Sequence, residues 1–110
     1  MRGLFRQHLV NLTPHLVNIG DIELPTSGVV ARVKVEHQPA GTHADVPLVV
    51  GSYGDVSNLP EAMEGVLYVV SAAVRTALPH RKDLASPAHL VRDEEGRIIG
   101  CQALEINPSE

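Results

Sequence analysis

The chain has no tryptophan, one cysteine and only three aromatic rings, Phe5, Tyr53 and Tyr68. A lone Cys101 excludes an intrachain disulfide and any multi-cysteine zinc or iron–sulfur centre. Three rings are too few for a sheet that stacks successive bases. Nine Lys and Arg stand against thirteen Asp and Glu, for a formal net charge of −4. That balance leaves no cationic surface for the backbone of a long nucleic acid. No apolar run approaches the roughly 18 residues that span a bilayer. Arg2 and Arg6 precede no hydrophobic core with a small-residue cleavage site, so no signal peptide is expected and a cytoplasmic location is. The Asn11-Leu12-Thr13 sequon is therefore read as a chance match. The nucleophile elbow, the P-loop and the dinucleotide fingerprint are all missing.

What remains is a chain of 110 residues, 44% of them apolar, the size and composition of one folded domain. Eight Pro and nine Gly are spread along it and punctuate short apolar segments, a pattern of many short strands. The expected fold is α+β: a β-rich single domain over residues 10–107, mostly short antiparallel strands with one principal helix, preceded by a loose arm at 1–9. The clearest strand is Val29–Glu36, where apolar 29, 31, 33 and 35 alternate with charged 32, 34 and 36. One of its faces should meet a core and the other water. Short extended pieces are expected at Val10–Thr13, Leu16–Ile19 and Ile22–Leu24, with a turn at Gly20-Asp21. Pro39–His43 has loop composition and Gly51–Gly54 reads as a turn. Val66–Val70, rich in β-branched residues, reads as a buried strand, and Ser71 caps a helix through Leu78 that ends at Pro79. A continuous helix from Pro60 to Leu78 is the rival reading. Val91-Arg92, Asp93–Gly96 and Arg97–Leu104 read as a closing hairpin.

Three places carry candidate chemistry. Asn11, Thr13 and His15 flank Pro14, which bends the strand and presents polar side chains at its end; they read either as ligand contacts or as a turn satisfying local backbone. Ser71 opens a helix directly after a strand, where unpaired N–H groups and the helix dipole favour an anion. Arg75 lies one turn along that helix, and Arg81 belongs to the cationic His80-Arg81-Lys82 cluster beyond it. The plainer reading is a helix cap with basic residues at the helix C-terminus. Arg32 and Arg92 are secondary candidates. Six histidines are scattered without metal-ligand spacing, and Cys101 reads as a small buried hydrophobe. No cofactor or metal is expected.

The Asn-Leu-Thr-Pro-His opening, the Leu24–Val33 stretch Leu-Pro-x-Ser-Gly-x-x-Ala-Arg-Val, Gly65–Ser71 and Val91–Cys101 together resemble short uncharacterised proteins of bacteriophages and prophages. The resemblance implies a small accessory protein acting inside a bacterial host. By analogy with phage proteins that sequester nucleotide signals, the leading expectation is a non-enzymatic, homo-oligomeric sponge. It would hold a small anionic nucleotide-like ligand through Asn11, Thr13, His15, Arg32, Ser71, Arg75, Arg81 and Arg92. The alternative is a structural or protein-interaction module, either a phage assembly part or an inhibitor of a host protein. A small hydrolase using His15 or His80 as base ranks behind both.

Overall fold

The computed structural model describes residues 8–109. In chain order the elements are β1 (His8–Asn11), β2 (Val17–Ile19), β3 (Ile22–Leu24), β4 (Arg32–His43), β5 (Val46–Ser57), β6 (Val66–Val69), α1 (Ala72–Ala77), β7 (Leu84–Arg92) and β8 (Ile98–Ile106). The expected arm at 1–9 lies outside the described residues up to position 7, while His8 and Leu9 are part of β1.

The continuous apolar run at β6 makes it a central strand, covered on both faces. It pairs in parallel with β1 on one side and with β7 on the other. From there the six-stranded sheet runs β1-β6-β7-β8-β2-β3. Alternate residues of β6 serve two cores. Tyr68 and Val70 join Leu12, Ala31, Val74 and Leu84 beneath α1. Val69 faces Val17 and Cys101 on the opposite side, with Ile19, Leu24 and Leu104 around them. Tyr68, buried at its ring, donates its hydroxyl to the Glu61 carbonyl at 3.1 Å, the usual requirement for a phenol inside a core.

The sheet curls until its edge strands β1 and β3 lie against each other. Asn11, 1% exposed, makes the junction. Its Nδ2 donates to the Leu24 carbonyl at 2.9 Å and to the His15 carbonyl at 2.8 Å. Its Oδ1 accepts from the Thr13 amide at 2.9 Å and the Thr13 hydroxyl at 2.7 Å. Gly100 permits the approach of β8 to β2, since a Cβ there would stand 3.1 Å from the Asn18 carbonyl oxygen.

The domain is β-rich with one short helix, and three expectations need correction. The main sheet is antiparallel only in part: β1–β6, β6–β7 and β2–β8 are parallel. For the β6–β7 pair, α1 supplies the crossover connection that a parallel pair requires. Second, Pro39–His43 and Gly51–Gly54 are not turns. Both lie inside one ribbon of two twelve-residue strands, β4 paired antiparallel with β5, whose reversal is at Ala44-Asp45. Those two residues have φ of 49° and 68°, the left-handed pair a tight hairpin needs. Third, the alternation at 29–35 does not face a core along its length. Ala31 and Val33 join the core, but Val29 and Val35 are about half exposed. The pieces before β4 are partly displaced: β1 runs His8–Asn11 instead of Val10–Thr13, β2 starts at Val17, β3 matches Ile22–Leu24, and the strand expected from Val29 begins only at Arg32. The β6 strand and its capped helix stand where the sequence puts them, and the continuous helix from Pro60 does not form.

Asn11→Ala should cost about 2–3 kcal/mol, because it leaves buried backbone groups without partners. Urea denaturation against wild type measures this, with Asn11→Asp predicted to be nearly as harmful because it loses both Nδ2 donors.

Candidate functional site

β1 ends at Asn11, the chain bends through Thr13–His15 around Pro14, and Leu16 leads directly into β2. This bend, the start of α1 and the β7–β8 hairpin enclose a groove of about 540 Å3. Val17, Val70 and Cys101 contribute to its wall, and Leu16, Leu90, Ile98 and Ile99 border it. Those last four are each roughly half exposed. Thr13, His15, Asn18 and Ser71 are its polar members. The structure thus brings together two sequence-remote candidates, the Thr13/His15 pair and Ser71. Among the described residues no Asp, Glu, Lys or Arg lines the groove.

Each polar group has its local geometry. Ser71 sits in extended backbone as the N-cap of α1, and its Oγ accepts from the Val74 amide at 3.3 Å. Thr13 Oγ1 donates to Asn11 Oδ1, and Asn18 Nδ2 donates to the Ile99 carbonyl at 3.3 Å. Cys101 is buried and its thiol donates to the Asn18 carbonyl at 3.4 Å, so it acts as a packed side chain. With six residues, α1 aligns few peptide dipoles, and its first turn is capped by Ser71 itself.

The arginines lie elsewhere. Arg75, with a side chain 12% exposed, reaches across to β7 and the segment after β8. It donates from Nε to Ser86 Oγ at 2.8 Å and from Nη1 to Asn107 Oδ1 at 3.1 Å, with Glu105 at 3.4 Å. Asn107 in turn donates to the carbonyls of Arg75, Leu78 and Arg81 at 3.0–3.2 Å, closing the C-terminal end of the helix. Arg81 forms a two-bond fork with Asp83, both contacts at 2.8 Å, and also donates to the Pro60 carbonyl. The hydrogen bond from Arg81 is the main cause that holds the Asp83 carboxyl below its ordinary value, against an opposing effect of burial. The same bond raises the guanidinium of Arg81. Arg92 donates to the Gly96 carbonyl within the β7–β8 turn, and Arg32 is exposed at the base of the β4–β5 ribbon. His80 is in an exposed turn.

Of the eight sequence candidates, Thr13, His15 and Ser71 meet at the groove. Asn11, Arg75 and Arg81 hold the fold together instead, Arg92 makes a local, exposed contact within the β7–β8 turn, and Arg32 stands apart. Ser86 and Asn107, both buried, are central to the Arg75 network and were not signalled. A serine in an apolar strand and an asparagine before a proline have no pattern that announces a partner 11 or 32 residues away. Among the described residues no group of three or more His, Cys, Asp or Glu is placed to hold a metal ion, and no helix is long and apolar enough to cross a membrane. The chain matches no model of a known protein family, no curated protein and no solved structure.

Arg75→Ala should therefore destabilise the fold by about 2–3 kcal/mol, since it strands buried Ser86 and Asn107, as thermal unfolding will show. For Asp83, a folded-state value held below the ordinary 3.8 means the stabilisation is fully present above that value. It is lost as pH falls through the depressed one. Asp83→Asn should cost about 1–2 kcal/mol at pH 7, and the difference from wild type should vanish in acid below the folded-state value.

Proposed function

We propose that this protein is a protein-interaction module rather than an enzyme, acting through the β4–β5 ribbon as a projecting arm. One observation carries the reading: beyond its base, the ribbon is covered by none of the described residues. Val33 and Val56 root it on the core beneath α1. Beyond them Val35, Val46, Leu48, Val49, Val50 and Tyr53 are 42–59% exposed. Cross-strand partners share a face, so Val35 with Tyr53 and Pro39 with Val49 lie on one side. Val50, opposite Gln38, and Val46, opposite His43, lie on the other, with Leu48 between them in alternation. A two-stranded ribbon is marginal in water by itself, and apolar residues on both of its faces mark a surface that another protein covers. The molecule extends 62 Å along its longest axis with a radius of gyration of 16.9 Å, where a compact chain of this size has about 13 Å. The resemblance to phage and prophage proteins supports a setting in an infected bacterium, as an assembly part or an inhibitor of a host protein.

A second reading, capture of a small nucleotide-like ligand, draws on the meeting of Thr13, His15 and Ser71 in a groove of ligand size. Its anionic component has less support, because no described Lys or Arg lines the groove and phosphate recognition rests on such groups.

Leu48→Asp combined with Val49→Asp, one on each face of the arm, should abolish stoichiometric protein association in sedimentation and pull-down from bacterial lysate. The same variant should change unfolding stability by less than about 1 kcal/mol, because these side chains are exposed. Calorimetry with cyclic dinucleotides and ADP-ribose derivatives should show no binding. A nucleotide retained by wild type and released on Ser71→Ala would favour capture instead.

A further inference from the structure

The β4–β5 arm is rooted at one end, and its ladder is interrupted where it leaves the domain. Val33 pairs with Val56, and both pack on the core beneath α1. One step further the register shifts: Gly54 and Asp55 of β5 stand against Lys34 alone before Val35 meets Tyr53. Such a bulge breaks the ladder and bends the strand that carries it. From Val35 with Tyr53 to Pro39 with Val49 the pairing is regular, and a second shift then sets Ala40 and Gly41 against Leu48. Every residue from Lys34 to Tyr53 is exposed, so this stretch is held by its own cross-strand contacts. Pro39 and Pro47, inside the two strands, have no amide hydrogen to add to them. The ion pairs among the described residues all lie in the domain: Arg75 with Glu105, Arg81 with Asp83, and Arg97 with Asp93 and Glu95.

We infer that the arm between Val35 and Tyr53 melts and reforms as a unit of its own, hinged at the Gly54-Asp55 bulge, and that the Ala44-Asp45 turn sets the fraction of molecules whose arm is formed. This inference rests on the interaction-module reading and adds its regulation, because only the formed arm presents Val49 and Tyr53 on one face and Leu48 and Val50 on the other. The turn is the weak link. Ala44 and Asp45 hold φ of 49° and 68°. Aspartate reaches that region with help from its short polar side chain, whereas the Cβ of alanine crowds the following carbonyl oxygen. Asn-Gly is the pair that forms this turn most readily. Ala44 therefore opposes closure roughly tenfold relative to glycine, at the place where the two strands must first be brought together. A two-stranded ribbon is marginal before that handicap, so the formed and open arms lie near balance. Opening takes no side chain out of the core, because Val33 and Val56 lie on the domain side of the bulge. A partner that binds only the formed arm has its affinity scaled by the formed fraction. The turn thus tunes association without touching the binding faces.

Hydrogen exchange followed by mass spectrometry on the full chain tests this. In wild type the amides of residues 35–53 should exchange at least about 100-fold faster than those of Val66–Val69 in the central strand. Low urea should leave the arm's rates nearly unchanged and speed those of β6, since opening the arm exposes little new surface and unfolding the domain exposes much. Ala44→Asn combined with Asp45→Gly should slow exchange in the arm at least about fivefold. Ala44→Val, a β-branched residue that resists positive φ, should speed it toward the rate of an unfolded chain. Both variants should leave β6 as in wild type. Arm amides protected like those of β6, or turn variants that shift β6 as much as the arm, mean one cooperative unit and overturn the inference. Turn variants that leave the arm's exchange unaltered overturn it as well. In those cases, loss of association in the Leu48→Asp, Val49→Asp double variant still supports the interaction module. If the arm opens separately but that double variant associates like wild type, the module reading falls, and the turn's control of association falls with it.

Discussion

The fold depends on a single buried amide. The Asn11 side chain links β1 to the carbonyl that ends β3 and to the backbone of the bend between them, so the two edges of the sheet meet. An unpaired sheet edge is a row of donors and acceptors open to other chains, and a side chain that uses both its donor and its acceptor groups closes that row locally. Curling the sheet this way gives Val69, Val17 and Cys101 an interior of their own. It also turns the Pro14 bend toward the start of α1, which is how Thr13, His15 and Ser71 come to face one groove.

Polar side chains that resemble ligand-binding groups are mostly structural here, for a reason of size. A small chain with short strands has many helix ends and turn carbonyls that require partners. Arg75, Arg81 and Asn107 supply them around α1: the arginines lock strand to helix and the asparagine gathers three carbonyls. A guanidinium with five donors is suited to such junctions. Its presence in a sequence does not distinguish a phosphate clamp from an internal brace; the deciding factor is which acceptors the fold brings within about 3 Å.

The β4–β5 ribbon shows the opposite situation, apolar side chains without a core. Val29, Val33 and Val35 alternate as a half-buried strand should, yet only the base of the ribbon lies on the domain. Alternation reports that a face prefers to leave water. It does not report whether the covering surface belongs to the same chain. The turn was hidden for a related reason: Ala44-Asp45 adopts left-handed backbone without the Asn-Gly or Asp-Gly pair that usually announces it. The glycines that drew attention, Gly51 and Gly54, lie within β5 instead.

By itself the sequence determined the local elements: the short strands before residue 25, the apolar strand at Val66–Val69, the serine cap of α1 and the closing hairpin. These follow from periodicity, capping and turn chemistry, which act over a few residues. Only the tertiary structure decided strand direction, the closure of the sheet at Asn11, the internal role of the arginines and the exposure of the arm. Each of those depends on partners many residues distant, and the pairing energy of a strand or a guanidinium is nearly the same whichever distant acceptor it meets. Global packing selects among them, and on this chain it placed the hydrogen-bonding residues inside and left an oily ribbon out.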